Sequence, residues 1–314
     1  MVSEELSTAP GGVLPVLVGP TASGKTSLAL ALAEHLPIEV ISCDSVQVYR
    51  GFDIGSSKVT AAERARVPHH LLDFVSPTEP FNAGMWARAA DQAIQTIRAA
   101  GRIPLVVGGT GLYLRALLHG LAPAPEVPEE VRDALEKRVE TEGLGAMHAE
   151  LMEVDPALGK RLPEGDRQRI VRALAVFQAT GQRLSELQNE HRFSSERYSS
   201  LVLGVTRERS VLNARINARV LEMVDMGLVQ EVESLLAAGI PSDCRPMQAT
   251  GYRQVVEMLT AAGHPEEWVE RIQQAHRRYA KRQMTWFRSL EVEWREPDDV
   301  AGVAERIQRR LEES

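Results

Sequence analysis

The sequence predicts an α/β fold: a parallel sheet with helices packed on it and a helical insertion within it. Three observations carry that expectation. Short apolar runs suited to buried strands alternate with stretches of helical period, the pattern of βαβ units. A glycine-rich loop stands between the first apolar run and the first helical stretch. A segment with three prolines, Pro123, Pro125 and Pro128, opens a charged stretch, residues 129–190, that is helical in period and has no strand signal.

Along the chain, residues 1–12 read as a tail ended by Gly11-Gly12. Residues 13–18 are an apolar run for a buried strand, and 25–36 a helix with Leu28, Ala29 and Leu32 on one side. Residues 39–43 and 103–107 are further strands, the latter stopped by Gly108-Gly109, and 200–205 is the last. Beyond it the chain reads as helix. Ile216, Val220, Val224, Leu228, Val232 and Leu236 recur every four residues, which predicts one long helix with one buried face. A second helix is expected over residues 265–287. The division that follows is a core from 1–120 and 200–314 and a helical insertion domain at 121–199.

The 314 residues, 44% hydrophobic and 25% charged, suffice for a sizeable core without cross-links. Cys43 and Cys244 are the two cysteines, and no Cys/His run has zinc spacing, which fits a reducing cytoplasm. The start, Met1-Val2-Ser3-Glu4-Glu5, lacks a signal-peptide n-region. No apolar run reaches the ~18 residues of a membrane span. A net charge of −7 argues against indiscriminate nucleic-acid binding by the whole surface, while leaving room for a local basic groove.

Gly19-Pro20-Thr21-Ala22-Ser23-Gly24-Lys25-Thr26 matches G-x-x-x-x-G-K-[ST] in full, between strand and helix. The expected core is therefore P-loop NTPase-like. Glycines let backbone N–H groups converge on phosphate oxygens, and the helix N-terminus adds partial positive charge. Lys25 supplies a mobile charge and the Thr26 hydroxyl a ligand for Mg²⁺. The motif specifies a chain of phosphates rather than ATP. The strand that would carry a Walker-B acid ends instead in Gly108-Gly109-Thr110-Gly111, which disfavours an ATP-driven motor or switch.

Ligands of open α/β sheets bind at the carboxyl ends of strands, so Asp44 and Gln47, just past residues 39–43, emerge on the rim that carries the P-loop. An aspartate there can take a proton from an incoming nucleophile, and a glutamine can pair with a base edge. The other reading of Asp44 is a cap on the following turn.

Together, the P-loop, Asp44-Ser45-Val46-Gln47-Val48-Tyr49 and Gly108-Gly109-Thr110-Gly111-Leu112-Tyr113 closely resemble bacterial tRNA dimethylallyltransferases, also called tRNA isopentenyltransferases. The run from Asp166 to Leu174, Gly251-Tyr252-Arg253-Gln254 and the run from Tyr279 to Trp286 extend the likeness over about residues 14–290. The resemblance implies transfer of a dimethylallyl group from dimethylallyl diphosphate to N6 of adenosine 37 in tRNA, releasing diphosphate. It assigns Lys25, Thr26 and Arg219 to the diphosphate, with Thr21 nearby, and Asp44 to the N6 amine and its proton. Spacing alone would leave Arg219, placed at the start of the long helix, as a solvated arginine. Asp44, Ser45, Val46 and Gln47 would receive the flipped base. Thr110, Arg132, Gln168, Arg169, Ile170, Val171 and Arg172 would contact RNA, with the insertion as a clamp on the anticodon stem. The implied cofactor is Mg²⁺, the protein a monomer. The zinc finger of eukaryotic members has no counterpart here.

Two stretches are rich in arginine. Arg161, Arg167, Arg169, Arg172 and Arg183 stand against Glu164 and Asp166; Arg271, Arg277, Arg278, Lys281, Arg282 and Arg288 stand against Glu270, interleaved with Tyr279, Trp286 and Phe287. This composition suits phosphate contact and base stacking, or solvated helix faces over an aromatic core. Rival functions are a P-loop small-molecule kinase, an isopentenyltransferase acting on free AMP, ADP or ATP, and a non-catalytic RNA-binding module.

Overall fold

The computed structural model describes residues 12–121, 125–191, 196–260 and 267–313. The expected tail before Gly12, Pro123 and Pro265 lie outside them. The elements run β1 (Leu14–Val18), α1 (Lys25–Leu32), β2 (Ile38–Cys43), α2 (Ala61–Arg66), β3 (His69–His70), α3 (Ala83–Ala99), β4 (Ile103–Gly108) and α4 (Gly111–His119). Five helices follow: α5 (Glu129–Glu142), α6 (Leu144–Val154), α7 (Pro156–Arg161), α8 (Arg167–Thr180) and α9 (Leu184–His191). The chain then forms β5 (Ser200–Val205), α10 (Arg209–Asp225), α11 (Leu228–Ala237), α12 (Tyr252–Thr260), α13 (Trp268–Phe287), β6 (Glu293–Arg295) and α14 (Val300–Glu312).

The six strands form one parallel sheet in the order β3-β2-β4-β1-β5-β6. The central strands are continuous apolar runs, as expected of strands covered on both faces. All five residues of β1 are buried. Helices α1 and α14 share one apolar cluster with the sheet, with Leu28, Leu32, Val303 and Ile307 packed among Leu17, Ile38, Leu105 and Leu203. Full burial of such a side chain contributes about 1.5–3 kcal/mol. Helix α3 packs on β2 and β4. Its Trp86 is fully buried, and the indole Nε1 donates to Ser42 O at 3.1 Å, satisfying the ring's one polar atom.

Register sets the level of the rim. Val18 of β1 lies beside Gly108 of β4 and Gly204 of β5, and Gly108 lies beside Cys43 of β2. Gly19, Asp44 and Gly109 therefore leave the sheet at one height.

The chain divides into two compact units, His119–Glu196 and the remainder. The smaller holds its own core of Leu135, Met147, Leu151, Leu158, Leu174 and neighbours. In the larger, the two points where the chain leaves and re-enters are fastened together. Arg197 N donates to Leu118 O at 2.8 Å, its Nη1 to Leu117 O at 2.9 Å, and its Nη2 meets Asp91 Oδ2 at 2.8 Å.

One expectation from periodicity is corrected, and two strands are added to the reading. The single helix through Ile216 and Leu236 is broken into α10 and α11 at Gly227, whose φ of +100° lies in the left-handed region that only glycine enters without strain. The four-residue repeat runs through that break because the fresh helix resumes with Leu228 and Val232 buried. Strands β3 and β6 were not anticipated. β6 is Glu293-Trp294-Arg295, held at the edge by pairing with β5 and carrying no apolar signature of its own.

Candidate active site

Gly19 to Thr26 connects β1 to α1. Gly24 caps α1 at φ +110°, a backbone angle that turns the following N–H groups into the loop's hollow. Lys25 does not reach outward. Its Nζ donates to Gly19 O and Pro20 O, both at 2.8 Å. Burial, then the nearby Arg219 charge, pull the ammonium from 10.5 to about 7, with Asp44 opposing. Thr26 stays exposed at the cavity's edge.

Arg219 lies in the middle of α10, not at a helix start, and reaches the loop from there: Nη1 to Thr21 Oγ1 is 3.4 Å. Burial holds its guanidinium below the usual range, and Asp44 is its first opposing charge. One turn earlier, Arg215 Nε donates to Ala22 O at 3.0 Å. Arginines on two successive turns of one helix thus serve the P-loop, consistent with the i, i+4 spacing that places side chains on one face.

Lys25, Thr26, Asp44 and Arg219 line one cavity of about 290 Å³, together with Thr21, Ser45, Val46 and Gln47. Both readings of Asp44 hold at once. Its Oδ1 accepts from Val46 N at 2.8 Å and Gln47 N at 3.1 Å, fixing the turn. Oδ2 has no hydrogen bond among the described residues. Gln47 is committed to the fold: its Oε1 accepts from Ser42 Oγ at 3.0 Å, and its Nε2 donates to Ser56 O at 3.1 Å and Ser57 O at 3.3 Å. Thr110 is likewise a tie between loops. Its Oγ1 accepts from Ser45 N at 3.1 Å and stands close enough to the Tyr279 hydroxyl to act on its proton.

The sequence reading gave no role to several residues that build the cavity. Gln283 of α13 bonds both the P-loop and the end of β4, through Thr21 N and Gly109 O. Tyr279 and His276, one and two turns earlier, line the cavity on the same helix face. The available signal was the spacing of His276, Ala280, Gln283 and Phe287, all buried, within a run read for its charge, its aromatics and its family likeness. Glu231 of α11 accepts from Asp53 N, Ile54 N, Gly55 N and the Tyr252 hydroxyl, so it clamps the loop whose carbonyls hold Gln47.

On the smaller unit, Gln168, Arg169 and Arg132 are exposed. Ile170 and Val171 are 0% and 3% exposed, built into that unit's core, and their side chains present no surface to RNA. Arg172 donates to Pro125 O at 3.3 Å and feels the charge of Arg132, so two cations adjoin. Arg167 pairs with Glu136 and Arg183 with Glu186. On α13, Arg278, Lys281 and Arg282, and Arg288 just past its end, are exposed and form no ion pair among the described residues, while Phe287 is buried core.

Among the described residues no three His, Cys, Asp or Glu side chains converge on a metal site, and no helix is long and apolar enough to cross a membrane.

Residues 47–290 match the IPP transferase family model, and residues 13–73 match that of isopentenyl transferase. A tRNA dimethylallyltransferase 1 of Syntrophotalea carbinolica is 49% identical over 88% of each chain. A tRNA dimethylallyltransferase of Anaeromyxobacter dehalogenans is 46% identical over 95% of this chain and 99% of its own. The solved tRNA isopentenylpyrophosphate transferase of Bacillus halodurans superposes with a TM-score of 0.72 at 38% identity, covering 96% of this chain and 98% of that one. A eukaryotic dimethylallyltransferase solved acting on tRNA gives 0.77 at 26% identity, over 96% of this chain and 77% of that one. With a family match across most of its length and a cleft of the matching chemistry, the chain belongs to the IPP transferase family.

Proposed function

We propose that this enzyme transfers the dimethylallyl group of dimethylallyl diphosphate to N6 of adenosine 37 in tRNA, giving N6-dimethylallyladenosine and diphosphate. The observation that carries this reading is one cavity in which an anion cradle, Lys25, Thr26 and Arg219, faces the carboxylate of Asp44. The adenine amine is a weak nucleophile because its lone pair is delocalised into the ring. The allylic C1 compensates by bearing positive charge as its bond to the diphosphate oxygen breaks. The protein's task is to stabilise the departing anion, and fixed cations in a poorly screened cleft do that strongly. The new bond joins C1 to N6. The proton leaving N6 goes to the Asp44 oxygen not used by the turn.

Mg²⁺ fits the site: Thr26 offers one hydroxyl, and the ion takes most of its ligands from phosphate oxygens and water. When bound it supplies further charge to the diphosphate. The base is reached by flipping it out of the anticodon loop, at a cost of a few kcal/mol. The exposed arginines of the smaller unit and of α13 supply phosphate contacts to the RNA. In this reading the enzyme acts as a monomer in the cytoplasm.

The test is incubation of labelled dimethylallyl diphosphate with unmodified tRNA or with free AMP. Label enters tRNA alone; label in AMP alone reassigns the enzyme to free nucleotides. In single turnover, Asp44→Asn slows transfer to tRNA by about 10²–10⁴-fold, and an unchanged rate removes Asp44 from the chemistry.

A further inference from the structure

One polar group of the cavity wall has no part in the chemistry above. The imidazole of His276 is 7% exposed, and its Nε2 is buried without a hydrogen-bond partner among the described residues. An unpaired buried nitrogen costs free energy in the empty protein, and such groups concentrate where a ligand completes the pairing. His276 stands on the face of α13 that carries Tyr279 and Gln283 toward the P-loop. Gly251 adjoins its Nε2 from the turn before α12, where a Cβ built on the backbone would stand 3.4 Å from that nitrogen. Arg219 acts on it from α10.

We propose that His276 is a further ligand of the donor's diphosphate, neutral in the empty cavity and protonated when the anion enters beside Arg219, so that diphosphate binding takes up a proton from solvent at this ring. The proposal rests on the diphosphate site inferred above. Burial first, and Arg219 second, push the imidazole down to about 4 in the empty protein. An incoming diphosphate reverses the second cause by offsetting the Arg219 charge, and adds its own negative charge in the same low-dielectric space. The imidazolium then donates a hydrogen bond to a phosphate oxygen, a charge-assisted contact stronger than a neutral one. Arg219 lines the cavity from α10 and Tyr252 from α12, Lys25 and Asp44 share it, and Arg277 and Arg282 lie on the same helix as His276. Lys25 also sits near neutrality, so the two contributions have to be separated.

The experiment binds inorganic diphosphate to the full chain by titration calorimetry in buffers of different ionisation heat. Wild type takes up about one proton more per diphosphate than His276→Gln, which keeps a polar group but cannot be protonated. The variant binds about tenfold more weakly at mildly acid pH, and the gap closes toward alkaline pH as the imidazolium becomes harder to form. A readout independent of the variant's folding is ¹⁵N NMR of histidine-labelled wild type, in which saturating diphosphate moves the His276 ring signals to those of imidazolium. A ring that stays neutral with diphosphate bound, or equal proton uptake by the two proteins, overturns the role of His276 alone. Failure of wild type to bind diphosphate overturns it together with the donor site.

Discussion

Gln283 holds Thr21 and Gly109 together: its Oε1 accepts from Thr21 N at 2.9 Å, and its Nε2 donates to Gly109 O at 3.1 Å. A helix near the end of the chain thereby sets the spacing between the P-loop and the end of β4. Gln283→Ala leaves the part-buried Thr21 N and the buried Gly109 O unpaired and costs about 2 kcal/mol in urea unfolding. The KM for the donor rises with it. Gln283→Glu does not rescue, since a carboxylate cannot donate to Gly109 O.

Glu231 anchors the loop behind Asp44 by accepting from three consecutive backbone N–H groups and from Tyr252. Glu231→Gln loses the charge and sets an amide donor against other donors. Unfolding free energy falls by about 2 kcal/mol. Because Ser56 and Ser57 in that loop hold Gln47, transfer to tRNA slows as well, while binding of inorganic diphosphate stays unchanged.

Lys25 makes the stability of the empty enzyme pH-dependent. Its ammonium is pulled from 10.5 to about 7 by burial and Arg219. Between those values the unfolded chain binds a proton that the folded chain lacks, so folding stability rises with pH across that window; below about 7 the cost of the buried charge is present in full. Relative to Lys25→Met, wild type gains up to about 1.4 kcal/mol per pH unit there. Urea unfolding of both proteins in a pH series measures the difference, and saturating diphosphate reduces it.

Arg132 and Arg169 are exposed on the smaller unit. If both touch phosphate, Arg132→Ala with Arg169→Ala weakens tRNA binding and lowers the slope of log K against log salt by about 2. Binding isotherms at several salt concentrations read this directly. An unchanged slope removes this face from the RNA contact.

Much of this was legible in the sequence, and the divide is physical. Strands β1, β4 and β5 are largely apolar runs because both sheet faces are covered, β2 is one apart from Glu39 and Ser42, and the P-loop is a local motif whose eight residues contain its own logic. β6 exists only because β5 presents an edge, so no property of Glu293-Trp294-Arg295 announces it. Gln283 is 262 residues from Thr21, and its partners are backbone atoms that leave no trace in the sequence. The commitment of Gln47 to Ser42, Ser56 and Ser57 was hidden for the same reason: a side chain that suits a base edge equally suits a carbonyl.

The fastening of Arg197 to Leu117, Leu118 and Asp91 makes the smaller unit a cassette. Departure and return share one doorway, so closing the chain there without the intervening residues spans almost no distance and costs little loop entropy. The helical unit can be lengthened, exchanged or removed at that doorway while the sheet and its helices keep their own fold.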